Sequence, residues 1–224
     1  MTSAATPLTD QITPTEAVLL FSDRLVDSHP KPRLDEYTVP TSGAGVFGLD
    51  VVEVAVETLV ASLLASGVEA TVEERRAWFF WTSSRLHLRR TGPGRRWPEG
   101  SPESRLLAWL EAQPGQAGGL TEALIELFMP TPMQNVWGLA YSALHAGLVQ
   151  RGYLECTRRT MLGITLRDHF ALPPSQRTEV LHAAADLTSG THLGARDRLD
   201  PAVRLAAERS WRAAYVAQDV DVGV

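Results

Sequence analysis

The stretch LDVVEVAVETLVASLLAS at residues 49–66 decides the fold, because it is apolar on nearly every side of a helix. A helix with apolar side chains all round is typical of the buried centre of a protein rather than of its surface. Gly67 follows this stretch, and a glycine at this place is typical of the left-handed residue that ends a helix. We therefore expect a buried helix at residues 49–66.

A helix start precedes this stretch in the tetrapeptide TPTE at residues 13–16. A threonine hydroxyl can accept a backbone N–H bond, proline is favoured at the first helical position, and a glutamate at this spacing reaches back to the threonine N–H. Apolar residues then recur at helical spacing and predict a helix to about residue 26. We expect residues 1–12 to form a flexible tail and residues 31–48, rich in proline and glycine, to form a loop.

A strand pattern follows the buried helix. The segment RLHLR at residues 85–89 alternates polar and apolar side chains, as a half-buried strand does. The aromatic run WFFW at residues 78–81 has the composition of its partner strand. The sequence therefore predicts a β-hairpin near residues 70–97.

Helical patterns dominate the rest of the chain. Capped or periodic helices are predicted at residues 101–112, 120–129 and 133–151, and after the prolines at 173 and 201. Two short strands, 153–156 and 161–166, are predicted around a turn at 157–160, forming a wing-like ribbon near residues 153–166. We expect a mainly α class: a single compact helical domain at residues 13–219 with one or two short β-hairpins.

Composition excludes several functional classes. The 224 residues are 44% hydrophobic and 21% charged, with a net charge of -5. This acidic balance argues against a protein whose whole surface binds nucleic acid. Cys156 is the single cysteine, so no intramolecular disulfide can form, and no run reaches the roughly 20 apolar residues of a membrane span. We expect a cytoplasmic protein, at most peripheral to a membrane.

No motif indicates catalysis. GAGVFG at residues 43–48 matches a dinucleotide-binding pattern, but no buried strand precedes it and no alternation of strands and helices follows. The six histidines lack metal-ligand spacing, and there is neither a P-loop nor a nucleophile elbow. Asp168 and His169 are adjacent, and neighbouring residues rarely face each other as a catalytic pair. We expect no enzyme activity, no cofactor and no metal site.

The most distinctive segment is residues 85–97, which is basic within an acidic chain. Arginine guanidinium groups match phosphate oxygens, and tryptophan suits a lipid headgroup boundary. The alternative is a solvated strand face beside an aromatic cluster that belongs to the core. The candidate lipid- or phosphate-binding residues are Arg85, Arg89, Arg90, Arg95, Arg96 and Trp97, and the candidate membrane or interface contacts are Trp78, Phe79, Phe80 and Trp81.

A second interpretation rests on residues 133–166. A long helix followed by a ribbon, with Arg158 and Arg159 at the predicted turn, resembles a recognition helix and its wing. The helix offers few groups that could reach phosphates or base edges. The sequence thus leaves open a winged-helix interaction or transcription-regulatory protein that binds DNA or a protein partner.

The order of elements resembles the Golgi phosphoprotein 3 (GPP34) family, and in particular a bacterial-type member. Residues 12–20, ITPTEAVLL, resemble the family's opening Leu-Thr-x-x-Glu-x-x-Leu-Leu helix. Residues 148–154, LVQRGYL, are similar to its Leu-Val-x-(Lys/Arg)-Gly-x-Leu. The segments LGI at 162–164 and FALP at 170–173 resemble the family's short strand and its Pro-Leu segment. The likeness covers residues 12–187.

The resemblance implies a non-catalytic helical domain with a projecting β-hairpin, used for peripheral membrane association. Eukaryotic members bind phosphatidylinositol 4-phosphate in a basic pocket. Tyr141 and Gly138 stand where those members have two lipid-binding arginines, and the loop after the first helix has Tyr37 and no tryptophan. A tyrosine and a glycine cannot supply charged forks to a phosphate. We therefore expect binding to anionic membrane lipid or phosphoinositide-like headgroups through the ribbon arginines, with a protein partner or self-association as alternatives.

Overall fold

The computed structural model describes residues 12–33, 36–77, 81–131, 136–161, 164–188 and 194–218. The chain is 54% helical and 18% strand, so it has a mixed α/β fold. The prediction of a mainly α class with one or two short hairpins is therefore wrong. There are two reasons. Some strands pair where the sequence shows no alternation, and the hairpin predicted near residues 70–97 extends well beyond the alternating segment at residues 85–89.

The helical elements enclose one hydrophobic core. They are α1 (Pro14–Leu20), α2 (Gly48–Leu64), α3 (Pro102–Ala112), α4 (Leu120–Phe128), α5 (Val136–Gln150), α6 (Arg177–Thr188), α7 (Gly194–Asp197) and α8 (Pro201–Gln218). Helix α2 contacts α1, α3, α5, α7 and α8, and most of its residues are buried, which confirms the predicted buried helix. Its buried hydroxyls are satisfied within the helix, since Thr58 and Ser62 each donate to the carbonyl four residues earlier at 2.8 Å.

The strands form three antiparallel sheets within the described residues. They are β1 (Ser28–His29), β2 (Tyr37–Thr38), β3 (Gly45–Val46), β4 (Val68–Ala77), β5 (Trp81–Arg90), β6 (Ala117–Gly119), β7 (Glu155–Met161) and β8 (Ile164–Ala171). The strand orders are β1-β3-β2, β4-β5-β6 and β7-β8. Strands β2 and β3 of the first sheet lie in the region predicted to be a loop, and β1 lies just before it. Strands of two residues are too short to show a period in the sequence.

Helix α1 begins as its sequence indicates. Glu16 N–H donates to Thr13 Oγ1 at 3.3 Å, and Thr13 N–H donates to Glu16 Oε2 at 3.0 Å. This reciprocal capping box is the predicted one. The predicted tail at residues 1–12 lies outside the described residues except for Ile12, which is buried in the core.

The β4–β5 ribbon pairs along its whole length, from Val68 opposite Arg90 to Ala77 opposite Trp81. Alternation along β5 is confirmed, because Leu86 and Leu88 are buried while Arg85 and Arg89 are exposed. We call the side with residues 84, 86 and 88 the inner face and the side with residues 85, 87 and 89 the outer face. Helix α8 packs on this ribbon, and Arg209 Nη1 donates to Ser84 Oγ at 2.7 Å.

Residues 78–81 are not the partner strand of residues 85–89. The register places Glu69–Glu73 opposite Arg85–Arg89, so β4 is the partner, and residue 81 begins β5 itself. β4 takes this position because its ten residues pair with all ten residues of β5, whereas a strand at residues 78–81 could pair with at most four.

The turn of the second ribbon also lies elsewhere than predicted. Residues 157–160, including Arg158 and Arg159, belong to β7 and pair with β8. Tyr153 instead caps α5, because Gly152 has φ +77 and the Tyr153 N–H donates to Leu148 O at 2.9 Å. A strand therefore begins two residues later than the sequence indicated, and Thr157 and Thr160 extend it because β-branched residues favour strands.

Candidate functional site

The outer face of the β4–β5 ribbon carries both signs of charge. Arg89 Nη2 lies 3.1 Å from Glu69 Oε2, and the two residues are directly opposite in register. Arg85 stands opposite Glu73 in register, and its Nη1 lies 3.8 Å from Glu122 Oε1 on α4. These exposed pairs neutralise two of the predicted phosphate-binding arginines and add little stability themselves.

Arg90 lies at the base of the ribbon, on the inner face. Its guanidinium forms an ion pair with Glu111 of α3, and its Nε donates to Gly92 O at 3.2 Å. A shallow cleft of about 530 Å³ opens here, with Gln116 on its far side. Because the arginine is already paired with a carboxylate, the cleft has no surplus positive charge for a phosphate.

The remaining candidates lie in the loop after β5. The Arg95 guanidinium carbon lies 4.8 Å from the centre of the Trp97 ring, a distance typical of a cation–π contact. Trp97 is half-buried against the core, and exposed Arg96 has no ion pair within the described part of the chain. The five arginines and Trp97 are therefore divided between the outer face, the base and this loop, and the structure does not bring them together.

The aromatic candidates fall at the other end of the ribbon. Trp78, Phe79 and Phe80 lie outside the described residues, and Trp81 is described by its backbone as the first residue of β5. The pairing of Ala77 with Trp81 makes these three residues the link between the two strands. Of the four aromatic candidates, Trp81 is the one that the structure places, at the end of the ribbon farthest from Val68 and Arg90.

Two arginines that the sequence analysis did not single out accompany the aromatic run. Arg75 is opposite Ser83 and Arg76 is opposite Thr82 in the register. We call residues 75–83 the ribbon end. The signal that could have found them is the absence of any acidic residue from position 75 to position 98.

Tyr37, Tyr141, His145 and Phe170 form an aromatic cluster in the core. The Tyr141 ring centre lies 4.2 Å from that of Tyr37, and the His145 ring stacks on Phe170 with centres 4.4 Å apart. Tyr141 and His145 are fully buried, and Gly138 is half-buried on the same helix. Stacked rings leave this cluster without the cationic groups that hold a phosphate.

Burial determines the charge state of this cluster. Desolvation raises the pKa of Tyr141 above its ordinary value and lowers the pKa of His145 to about 4. The His145 Nδ1 lies 2.8 Å from Tyr141 O. Both side chains are therefore neutral at pH 7, and the cluster belongs to the core.

A second buried group lies where three helix ends meet. Glu16 of α1 and Glu103 of α3 are both fully buried, and Arg151 follows α5. Arg151 Nη2 donates to Glu16 Oε1 at 2.5 Å, and Thr15 N–H donates to Glu103 Oε1 at 3.1 Å. Sequence reasoning identified Glu16 as a cap and missed this cluster, because its members are far apart along the chain.

Desolvation dominates the proton affinity of both carboxyls. It raises the pKa of Glu16 from 4.5 to about 7, against the opposing attraction of Arg151. It raises the pKa of Glu103 in the same direction, and the Thr13 and Thr15 hydrogen bonds oppose it. Two buried carboxylates with a single guanidinium form an unbalanced arrangement.

The described residues offer little for catalysis. Among them, no three histidine, cysteine or acidic side chains lie where they could hold a metal ion. Asp168 Oδ1 accepts from Arg158 Nε at 3.2 Å, which gives the aspartate a role within the second ribbon. In the glycine-rich segment, Gly45 lies in β3, where an added Cβ would approach Pro32 Cα to 2.5 Å. That glycine therefore permits close backbone packing.

Within the described parts of the chain, every helix is too short or too polar to cross a bilayer.

The chain has no match among protein-family models, curated proteins or solved structures.

Proposed function

We propose that this chain is a non-catalytic peripheral membrane protein that binds anionic lipid surfaces through the ribbon end. The register carries this proposal, because it ends with Ala77 opposite Trp81 and so puts the arginines at 75 and 76 in the last pairs of the ribbon, next in sequence to Trp78–Phe80. Aromatic side chains favour the boundary between headgroups and acyl chains. Arginines beside them would meet lipid phosphates.

The charge distribution along the ribbon favours the ribbon end over the outer face as the membrane contact. Beside the outer face, Glu69 and Glu122 compete with lipid phosphates for Arg89 and Arg85. At the ribbon end, the register partners of the arginines are Ser83 and Thr82, which carry no charge. An approaching anionic surface therefore meets net positive charge at the end and a neutral face along the side.

The family resemblance supports the same kind of contact. It implies a projecting β-hairpin used for peripheral membrane association, and a ribbon of ten residues on each side ending in an aromatic run has that form. Where the resemblance implies a lipid-binding arginine, this chain has Tyr141, whose ring lies against that of Tyr37. We therefore propose attraction to anionic surfaces in general rather than recognition of one phosphorylated headgroup.

The winged-helix alternative has less support from the geometry. Of the α5 side chains that the structure describes, those of Ala146 and Gln150 are exposed, while Tyr141, Leu144 and Leu148 are buried. A recognition helix needs several exposed groups that reach base edges or phosphates. We therefore favour a membrane surface over duplex DNA.

Vesicle co-sedimentation tests the proposal. The purified chain should sediment with phosphatidylcholine vesicles that contain phosphatidylserine, and should not sediment with phosphatidylcholine alone. Each arginine near an anionic surface contributes about 1 kcal/mol, so the double variant Arg75→Ser/Arg76→Ser should bind roughly 30-fold more weakly. Absence of wild-type binding to acidic vesicles would refute the proposal.

A matched control locates the contact. Arg89→Ser/Arg96→Ser removes the same charge from the outer face and the loop, and should bind nearly as wild type does. If both double variants lose binding equally, the attraction comes from the whole acid-free segment 75–98. That result would overturn the proposal that the ribbon end is the contact. Phe79→Ser/Phe80→Ser should remove the part of the binding that resists salt.

A further inference from the structure

Glu16, Glu103 and Arg151 form a junction between three helix ends. Glu16 and Glu103 lie in the first turns of α1 and α3, and Arg151 directly follows α5. Arg151 Nη1 also donates to Glu99 O at 3.0 Å, which orients the guanidinium between the helices. This junction plays no part in the proposed membrane contact.

The charges in this junction do not balance when both carboxyls are ionised. Each carboxyl is fully buried, and each accepts a backbone N–H from the start of α1, Glu16 from Thr13 and Glu103 from Thr15. One guanidinium can compensate one carboxylate, and a second buried negative charge is costly unless it is neutralised. The Thr13 and Thr15 hydrogen bonds to Glu103 bring no positive charge that could compensate a second carboxylate. A proton on one carboxyl would balance the charge.

We propose that Glu16 and Glu103 hold one proton between them in the folded protein, and that its loss to solvent loosens the start of α1. With this proton the junction carries one carboxylate, one carboxylic acid and one guanidinium. Without it, two carboxylates face a single guanidinium in a site that excludes water. The resulting repulsion acts on the first turn of α1, since both carboxyls bind its backbone.

The other titratable groups near the junction do not compensate the second carboxylate. Arg151 and Glu103 are the charged side chains that face Glu16. Tyr153 has its ring 5.8 Å from the Arg151 guanidinium, and burial raises the pKa of its phenol, so it is neutral at pH 7. Glu179 of α6 acts on Tyr153 as a further negative charge and supplies no compensation.

Infrared spectroscopy of the full chain tests for the proton directly. At pH 6 the wild type should show the C=O stretch of a buried carboxylic acid, and this band should disappear as the pH rises through about 7. Glu103→Gln should abolish the band, because Glu16 then remains as a carboxylate paired with Arg151. Glu16→Gln removes the negative charge beside Glu103, so the band of Glu103 should disappear at a lower pH than in the wild type. Arg151→Gln should strengthen it, because both carboxyls then need a proton.

The matched control is Glu99→Gln, which changes an exposed side chain and keeps the backbone carbonyl bonded to Arg151. Its band should equal that of the wild type. A wild type without the band at pH 6, or a band that persists in both glutamine variants, would overturn the shared proton. Circular dichroism of each variant establishes that it is folded, and the two glutamine variants decide the question if Arg151→Gln does not fold.

Hydrogen exchange tests the consequence for α1. An opening that releases one proton becomes about tenfold more favourable for each pH unit between the pKa values of the open and closed states. Amides of α1 should therefore lose protection between pH 5 and pH 7, after correction for chemical exchange. Glu103→Gln should remove this pH dependence, and an unchanged dependence in that variant would refute the link between the proton and the helix.

Discussion

Replacement of His145 by leucine should make the protein more resistant to acid. His145 is fully buried, stacked on Phe170, and its Nε2 has no hydrogen-bond partner in the structure. Burial lowers the pKa of this imidazole from 6.5 to about 4. Because the folded state favours the neutral ring, the stability from this group is present above pH 6.5 and decreases as the pH falls to about 4.

The magnitude follows from the difference between the two pKa values. A tenfold change in proton affinity corresponds to about 1.4 kcal/mol. A pKa of about 4 in place of 6.5 therefore corresponds to roughly 3 kcal/mol of stability lost in acid. The raised pKa of Glu16 acts in the opposite direction, since its stability decreases as the pH rises from 4.5 to about 7. The wild-type profile combines both effects, so the difference between variant and wild type isolates the histidine.

Urea unfolding at pH 7 and at pH 4 measures this difference. Between these pH values, the wild type should lose roughly 3 kcal/mol more than His145→Leu. The control is His182→Leu, which changes an exposed histidine on α6 and should keep the wild-type dependence. An equal acid loss in wild type and His145→Leu would refute a neutral buried imidazole.

Three further substitutions test the core. Glu57 is buried and forms ion pairs with Arg196 and Arg204, so Glu57→Gln should destabilise the protein in thermal or urea unfolding. We expect a loss of about 2 kcal/mol, less than for a fully buried pair, because both arginines are partly exposed to water. Tyr141→Phe removes a buried hydroxyl that has no hydrogen-bond partner, so the free energy of unfolding should rise by about 1 kcal/mol; a fall would indicate a hidden partner. Gly147→Ala would place a Cβ 2.4 Å from Gly100 O, and only a shift of the backbone could relieve this contact. Stability should therefore fall by about 1–3 kcal/mol despite the better helix propensity of alanine.

Local signals predicted those parts of the fold that depend on neighbouring residues. The capping box at residues 13–16, the buried helix α2 and the alternation along β5 all follow from interactions within a few positions. Strand pairing depends on distant residues, which is why the sequence did not show that β4 pairs with β5 or that β6 joins them. The short strands β1 to β3 escaped prediction for the same reason.

The candidate site was predictable in composition and not in arrangement. The sequence shows arginines and aromatic residues in one segment, and it cannot show which arginines meet a carboxylate from another element. Arg85 pairs with Glu122 of α4, and Arg90 pairs with Glu111 of α3. The junction of Glu16 and Arg151 joins residues 135 positions apart, a separation at which sequence periodicity carries no information.

The salt dependence of vesicle binding can count the arginines that face the membrane. If the two arginines of the ribbon end supply the attraction, full screening should weaken binding by roughly 30-fold, since each contributes about 1 kcal/mol. If all seven arginines between residues 75 and 98 take part, the loss should approach roughly 100,000-fold. Screening acts over about 10 Å at 0.1 M salt and about 3 Å at 1 M. A titration across that range therefore separates the ribbon end from the whole basic segment, and a loss far above 30-fold would contradict the ribbon end as the main contact.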